Sequence, residues 1–196
     1  MKNSFFYIKN FYYINDKKDI DVSFVPPLVR RKLSLLDKLT LALAQQCYSE
    51  NIQEIVFSSE YGEFMRLDTI ISQYQQAGEV SPSQFSASVH NYPVSFFTLY
   101  NKLNIPYQAV SSGENSLAAG IIKSVISPKD VLFIYADVKN GVQGAACVIS
   151  HNGGKFKTKL ENTLFKKSEF DDFIVFLEQK KAEYTSPFGT LKWVLD

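Results

Sequence analysis

The 196-residue sequence predicts an α/β fold: a mixed, mostly parallel five-stranded sheet covered by helices, followed by a C-terminal hairpin, helix and strand. Three observations point there. Short β-branched and aromatic runs alternate with runs whose apolar residues recur every three or four positions. VLFIYAD (Val131–Asp137) is apolar almost throughout, as in strands covered on both faces. Turn signals such as PKD and HNGG separate the runs. No low-complexity linker or internal repeat interrupts them, so residues 1–196 read as one domain.

Each element follows from local chemistry. FFYIKNFYYIN near the start is aromatic and β-branched enough for a strand. DVSFVPPLVRRKL contains Pro-Pro, which removes two backbone donors, and reads as a loop. Ser34 opens a helix with Asp37 three residues on, in the manner of a capping box; Leu35, Leu36, Leu39, Ala42 and Leu43 recur at helical spacing and should face the core. IQEIVFSS (residues 52–59) is a buried strand. EFMRLDTIISQYQQAG is a helix with Gly78 as C-cap. SPSQFSASVHNYP is a loop entering the helix VSFFTLYNKL, PYQAVSS is the next strand, and residues 113–125 the next helix. GAACVIS and KFKTKL flank HNGG (residues 151–154) and are expected to form a hairpin. SEFDDFIVFLEQKK is a helix capped by Ser168, with Phe170, Phe173, Ile174 and Leu177 inward. LKWVL closes the chain as a strand.

Composition narrows the function. A net charge of +1 gives no electrostatic case for nucleic acid, and the densest basic cluster, RRK at residues 30–32, reads as a solvated helix entrance. Sixteen Phe and eleven Tyr exceed what a core of this size easily buries, which points to an apolar partner surface or ligand channel. Cys47 and Cys147 lie far apart in apolar contexts and read as buried free thiols in a reducing compartment. No signal peptide and no run of membrane-spanning length is visible, so a cytoplasmic location without membrane insertion is expected.

Chemistry concentrates in IPYQAVSSGENSLAAGIIKSVI (residues 105–126), a strand, tight turn and helix of the kind that presents a nucleophile. The turn offers Ser111, Ser112, Gly113, Glu114 and Asn115. A G-x-S-x-G elbow is absent. His90 reads as a structural residue bonding loop backbone, and His151 as an exposed turn residue. The two His and two Cys match no zinc spacing, and SSGENS lacks the glycines of a phosphate loop, so neither metal nor cofactor is expected. Glu114 at the first turn of a helix has two readings: a functional carboxylate held by backbone N–H groups and the helix dipole, or an ordinary stabilising choice.

Several stretches together resemble the N-terminal half of a β-ketoacyl synthase of the thiolase fold. VRRKLSLLDKLTLALA is similar to the family's paired arginines leading into an apolar helix. IVFSSEYGEF is similar to the strand that ends in a G-S-G-x-G-G turn. SPSQFSASVHNYPVSFFTLYNKLNIPYQAVSSGENS is similar to its S-P-x-x-x-P-x-x-x-x-N-x-x-A-G run, then a proline-led strand and the nucleophile elbow. Ser81, Pro82, Asn91 and Pro106 fall on those positions. The resemblance covers about residues 26 to 150.

Counted on from Pro106, the family's nucleophilic cysteine falls on Glu114, with Asn115 and Ser116 after it; an alternative register puts it on Ser111 or Ser112. The family's two histidines belong to a C-terminal half with no counterpart here. The resemblance therefore implies a subunit without catalytic residues, similar to the chain-length-factor-like partner of aryl polyene and type II polyketide ketosynthases. Such a subunit heterodimerises with a β-ketoacyl-ACP synthase and meets acyl carrier protein indirectly. It implies that Tyr107, Gln108, Ala109, Val110 and Ser111 form the strand that pairs across the dimer. Tyr61, Gln84 and Phe85 would line the acyl channel. The alternative is a stand-alone acyl-ACP decarboxylase or acyltransferase using Glu114 or Ser111. It has a basis, because glutamine at this position is associated with decarboxylating ketosynthase-like domains.

Overall fold

A computed structural model describes residues 4–153, 156–161 and 169–194. In chain order its elements are β1 (Ser4–Ile14), α1 (Pro27–Arg30), α2 (Leu35–Cys47), β2 (Glu54–Ser58), α3 (Phe64–Ala77), α4 (Pro82–Ser86), α5 (Tyr92–Tyr100) and β3 (Tyr107–Val110). There follow α6 (Ser116–Ile126), β4 (Val131–Asp137), β5 (Gln143–Ser150), β6 (Phe156–Glu161), α7 (Phe170–Leu177), β7 (Glu183–Ser186) and β8 (Gly189–Trp193).

The described strands form one sheet of eight, in the order β3-β2-β4-β5-β1-β6-β8-β7. The fold is mixed α/β as expected, but the strand directions are not. Only β2–β3 and β2–β4 pair in parallel. The remaining five pairings are antiparallel. The apolar run of β4 reports burial on both faces and says nothing of direction: β4 runs parallel to β2 and antiparallel to β5.

The hairpin expected around HNGG is not formed. β5 and β6 both pair antiparallel with β1, on its opposite edges, and so run parallel to each other. A short connection between parallel strands cannot be a hairpin. The turn residues had signalled a reversal, whereas the chain crosses β1. A hairpin does occur further on, between β8 and β7, the latter a strand absent from the sequence reading. The Pro-Pro stretch read as loop contains the single helical turn α1, with proline at its first positions, where a missing N–H costs nothing. The Ser168 cap lies outside the described residues; Glu169 precedes α7 without a side-chain cap.

Helices cover both faces. Along β4, Leu132, Ile134 and Ala136 pack towards α2 and α5, among Leu39, Leu43, Val94 and Phe97. Val131, Phe133 and Tyr135 pack towards α6 and α7, among Leu117, Ile121, Phe170 and Phe173. This is the period-two alternation of a strand with two apolar faces. The cap of α2 forms as the sequence implied: Ser34 Oγ accepts from Asp37 N, and Asp37 Oδ2 accepts from Ser34 N, both at 2.9 Å. Gly78 ends α3 in the left-handed conformation, φ 70°.

Gly120 sets the distance between α6 and the sheet. A Cβ there would meet Phe133 Cε2 and Ser58 Cβ at 2.6 Å. Gly120→Ala is expected to destabilise the fold by roughly 1–3 kcal/mol through overpacking. A lower urea midpoint with an unchanged slope would show it.

Candidate functional site

The elbow between β3 and α6 is built from its own hydrogen bonds. Gly113 takes φ 55°, which reverses the chain. Asn115 N donates to Ser112 O at 3.1 Å and Ser116 N to Gly113 O at 3.0 Å. Ser116 is buried; its Oγ donates to Gly113 O at 2.7 Å and accepts from Ser112 N at 2.9 Å. From β2, Ser58 Oγ donates to Ser116 O at 2.6 Å and ties the start of α6 to the sheet. Ser116 is thus a structural lock. Glu114 is left exposed at the tip, and Asn115 precedes α6 without a side-chain capping bond.

The turn after β2 forms a second wall. Asp137, at the end of β4, is buried and accepts from Ser59 Oγ (2.6 Å), Glu60 N (2.8 Å) and Tyr61 N (3.1 Å). Ser59 Oγ in turn accepts from Gly62 N at 2.8 Å. This one carboxylate replaces the partners that the turn's backbone would otherwise seek in water. It fixes Tyr61, whose ring carries Lys139 Nζ at 4.2 Å from its centroid. The Glu60 carboxylate beside it raises the pKa of the Tyr61 phenol, and Asn140 Nδ2 donates weakly to the hydroxyl at 3.4 Å.

Between the two walls lies a cleft of about 350 Å³, lined by Glu60, Tyr61, Glu114, Leu117, Tyr135, Asn140, Gln143, Glu169, Phe170 and Asp171. Its four carboxylates come from three separate parts of the chain: the turn after β2, the elbow and the start of α7. Phe170 closes the cleft against Tyr135, ring centroids 5.9 Å apart. Burial, then the charge of Asp137, raises the pKa of the Tyr135 phenol.

The structure therefore unites Tyr61 with Glu114 and leaves Gln84 and Phe85 apart. Both sit on α4, and Phe85 is 62% exposed. Ser111, also exposed, donates weakly to Glu60 O at 3.4 Å. Neither thiol approaches the cleft. Cys47 and Cys147 are buried, and burial pushes the Cys47 pKa up to about 12 and raises that of Cys147. His90 is not a backbone-bonding loop residue: its Nε2 is buried without a partner, and its ring packs on Phe57 and Gly62. His151 is half-buried rather than exposed, with its ring nitrogens 3.2 Å from Phe5 O and 3.1 Å from Val125 O. Neither histidine lines the cleft.

Glu60, Tyr135, Asp137, Asn140, Gln143, Glu169 and Asp171 were missed from sequence. Asp137 had a signal, an acid ending an otherwise apolar strand. Glu169 and Asp171 had none, because only the path of the chain across β1 brings α7 to this cleft. Among the described residues, no group of three or more His, Cys, Asp and Glu is placed to hold a metal ion. Nor is any helix long and apolar enough to cross a membrane.

A strand-turn-helix elbow beside a second turn, on a sheet with helices on both faces, is the arrangement of a thiolase-like domain. The chain belongs to the β-ketoacyl synthase family, whose N-terminal domain matches residues 8–140. Its fold is similar to a chain in the structure of the ketosynthase ApeO in complex with its chain length factor ApeC from Xenorhabdus doucetiae. There the TM-score is 0.74 at 16% identity, over 98% of this chain and 100% of that one. It is also similar to the ishigamide ketosynthase/chain length factor, with TM-score 0.60 and 10% identity; 72% of this chain is covered, and it spans 51% of that one. No curated protein sequence matches.

Asp137→Ala leaves three donors of the turn without their acceptor. It is expected to cost roughly 2–4 kcal/mol, read from chemical denaturation.

Proposed function

We propose that this chain is a non-catalytic, chain-length-factor-like subunit that forms a heterodimer with a β-ketoacyl-ACP synthase and shapes its acyl channel in polyene or polyketide synthesis. The observation that carries this reading is the elbow, which keeps a nucleophile-presenting geometry with Glu114 at its tip and no thiol within reach of the cleft. Condensation through an acyl-enzyme needs a thiolate, and thiols held at high pKa by burial supply almost none near neutral pH.

The cleft also argues against decarboxylation by this chain alone. A malonyl group is an anion, and Glu60, Glu114, Glu169 and Asp171 surround the space it would enter. Purified alone with malonyl-carrier protein, the chain is expected to release no carbon dioxide above background.

The sheet edge supports pairing with a partner. β3 ends the sheet, and Gln108 and Ala109 are exposed. Pro106 O accepts from Ile55 N of β2 at 3.0 Å and Val110 O from Ser59 N just after it at 3.3 Å, so the alternation of the ladder turns the N–H and C=O of Ala109 outward. An open edge of this kind accepts a further strand. Nearby apolar exposure adds to the case. Among the residues of α3 only Ile70 is buried, while Phe64, Met65, Leu67, Ile71 and Tyr74, together with Phe85 on α4, remain exposed. In the assembly Gln84 and Phe85 would reach the partner's channel, and the carrier protein would dock mainly on the ketosynthase.

Co-expression with a cognate ketosynthase is expected to give a complex that co-purifies, and failure to form one would overturn the reading. Ala109→Pro removes an outward donor without touching the β2 ladder. It is expected to abolish the complex while changing the stability of the isolated chain by no more than about 1 kcal/mol. Glu114→Ala is expected to leave the yield of acyl product within about twofold, by mass analysis.

A further inference from the structure

Beneath the turn after β2 lies an ionic cluster that the proposed function does not use. Asp37 of α2 and Glu63, which precedes α3, have side chains 0% and 1% exposed, and they share one cation, Arg66 of α3. Arg66 Nη2 is 2.6 Å from Asp37 Oδ2, and its Nε is 3.1 Å from Glu63 Oε2. Ser34 N donates to Asp37 Oδ2 at 2.9 Å and Ser34 Oγ to Glu63 Oε1 at 2.7 Å. Three of the four carboxylate oxygens thus have donors. Asp37 Oδ1 is buried with none.

Two buried carboxylates on one guanidinium leave a net negative charge, and one oxygen lacks a donor; a single added proton corrects both faults. We propose that Asp37 and Glu63 share one proton, and that this proton fastens α3 and the turn beside the cleft onto α2. It is taken from water as the cluster closes and returned as it opens. Glu63, deprived of solvent and facing the Asp37 charge, has its pKa raised to about 7. The other ionisable groups around the cluster are few. Tyr92 of α5 lies 5.1 Å below the Arg66 guanidinium, and the His90 ring abuts Gly62. Asp137 holds the same turn through its own donors, and Lys139 stands over Phe64 at 4.3 Å. None of these is an ion-pair partner of either carboxylate in the described structure.

The consequence falls on α3 because so little else holds it: Ile70 is its only buried residue among those described. The closed form binds one more proton than the open form between the ordinary glutamate value of 4.5 and about 7. The fastening is therefore complete below that window and lost as pH rises through it, and opening increases by up to about tenfold per pH unit.

Amide hydrogen exchange of the full chain, corrected for intrinsic rates, tests this. Opening of α3 is expected to rise between pH 5 and 7 by close to that factor per unit and to level off above. Glu63→Gln should flatten the profile and His90→Asn should keep it. A slope that survives Glu63→Gln, or that disappears in His90→Asn, overturns the proposal. Carboxyl ¹³C titration of the unsubstituted chain is a second arm that needs no variant to fold. One glutamate should titrate near neutrality, and ordinary titration of every glutamate refutes the shared proton.

Discussion

The carboxylate of Asp137 holds together the end of β4 and the whole turn that follows β2. It receives the Ser59 hydroxyl and the N–H groups of Glu60 and Tyr61, and Ser59 passes the constraint on to Gly62. Everything near the elbow depends on this turn. It places Tyr61 and Glu60 along the cleft, sets Gly62 against His90, and delivers Glu63 to Asp37 and Arg66. A buried carboxylate with three short donors is a stiff connector, since moving any one donor exposes the others to an unmet cost.

The elbow opposite is held with equal economy by Ser58, Ser116 and the missing Cβ of Gly120. None of these features requires a reactive residue at the tip. That separation of scaffold from chemistry lets the elbow keep its shape whatever residue stands at its tip, here the exposed Glu114. The acidic lining turns the remaining cleft against anionic substrates, while the open edge of β3 and the apolar outer residues of α3 and α4 turn the molecule's unsatisfied surface outward. In the proposed complex that surface is what the partner would cover.

Local chemistry was legible in the sequence, and long-range placement was not. The capping box at Ser34 and Asp37, the Gly78 cap and the elbow all form as read, because each is decided within a few residues. The parallel sheet was misread because apolar continuity in Val131–Asp137 encodes burial, not strand direction. HNGG carries turn chemistry whether the chain reverses or crosses β1, so the β5–β6 pairing was undetermined locally. The cleft shows the same limit. Tyr61 and Glu114 came from the family pattern, whereas Glu169 and Asp171 arrive only through that crossing. The sharing of Arg66 by Asp37 and Glu63 joins α2 to the start of α3 and leaves no periodic signature in the sequence.

The central claim is that β3 adds a partner's strand while the elbow performs no chemistry. Residue-resolved hydrogen exchange of β3, with and without a cognate ketosynthase, tests it most directly. The account predicts that the outward amide of Ala109 becomes strongly protected in the complex, while the inward amides, already bonded to β2, change little. A complex in which Ala109 exchanges as fast as in the free chain would contradict it.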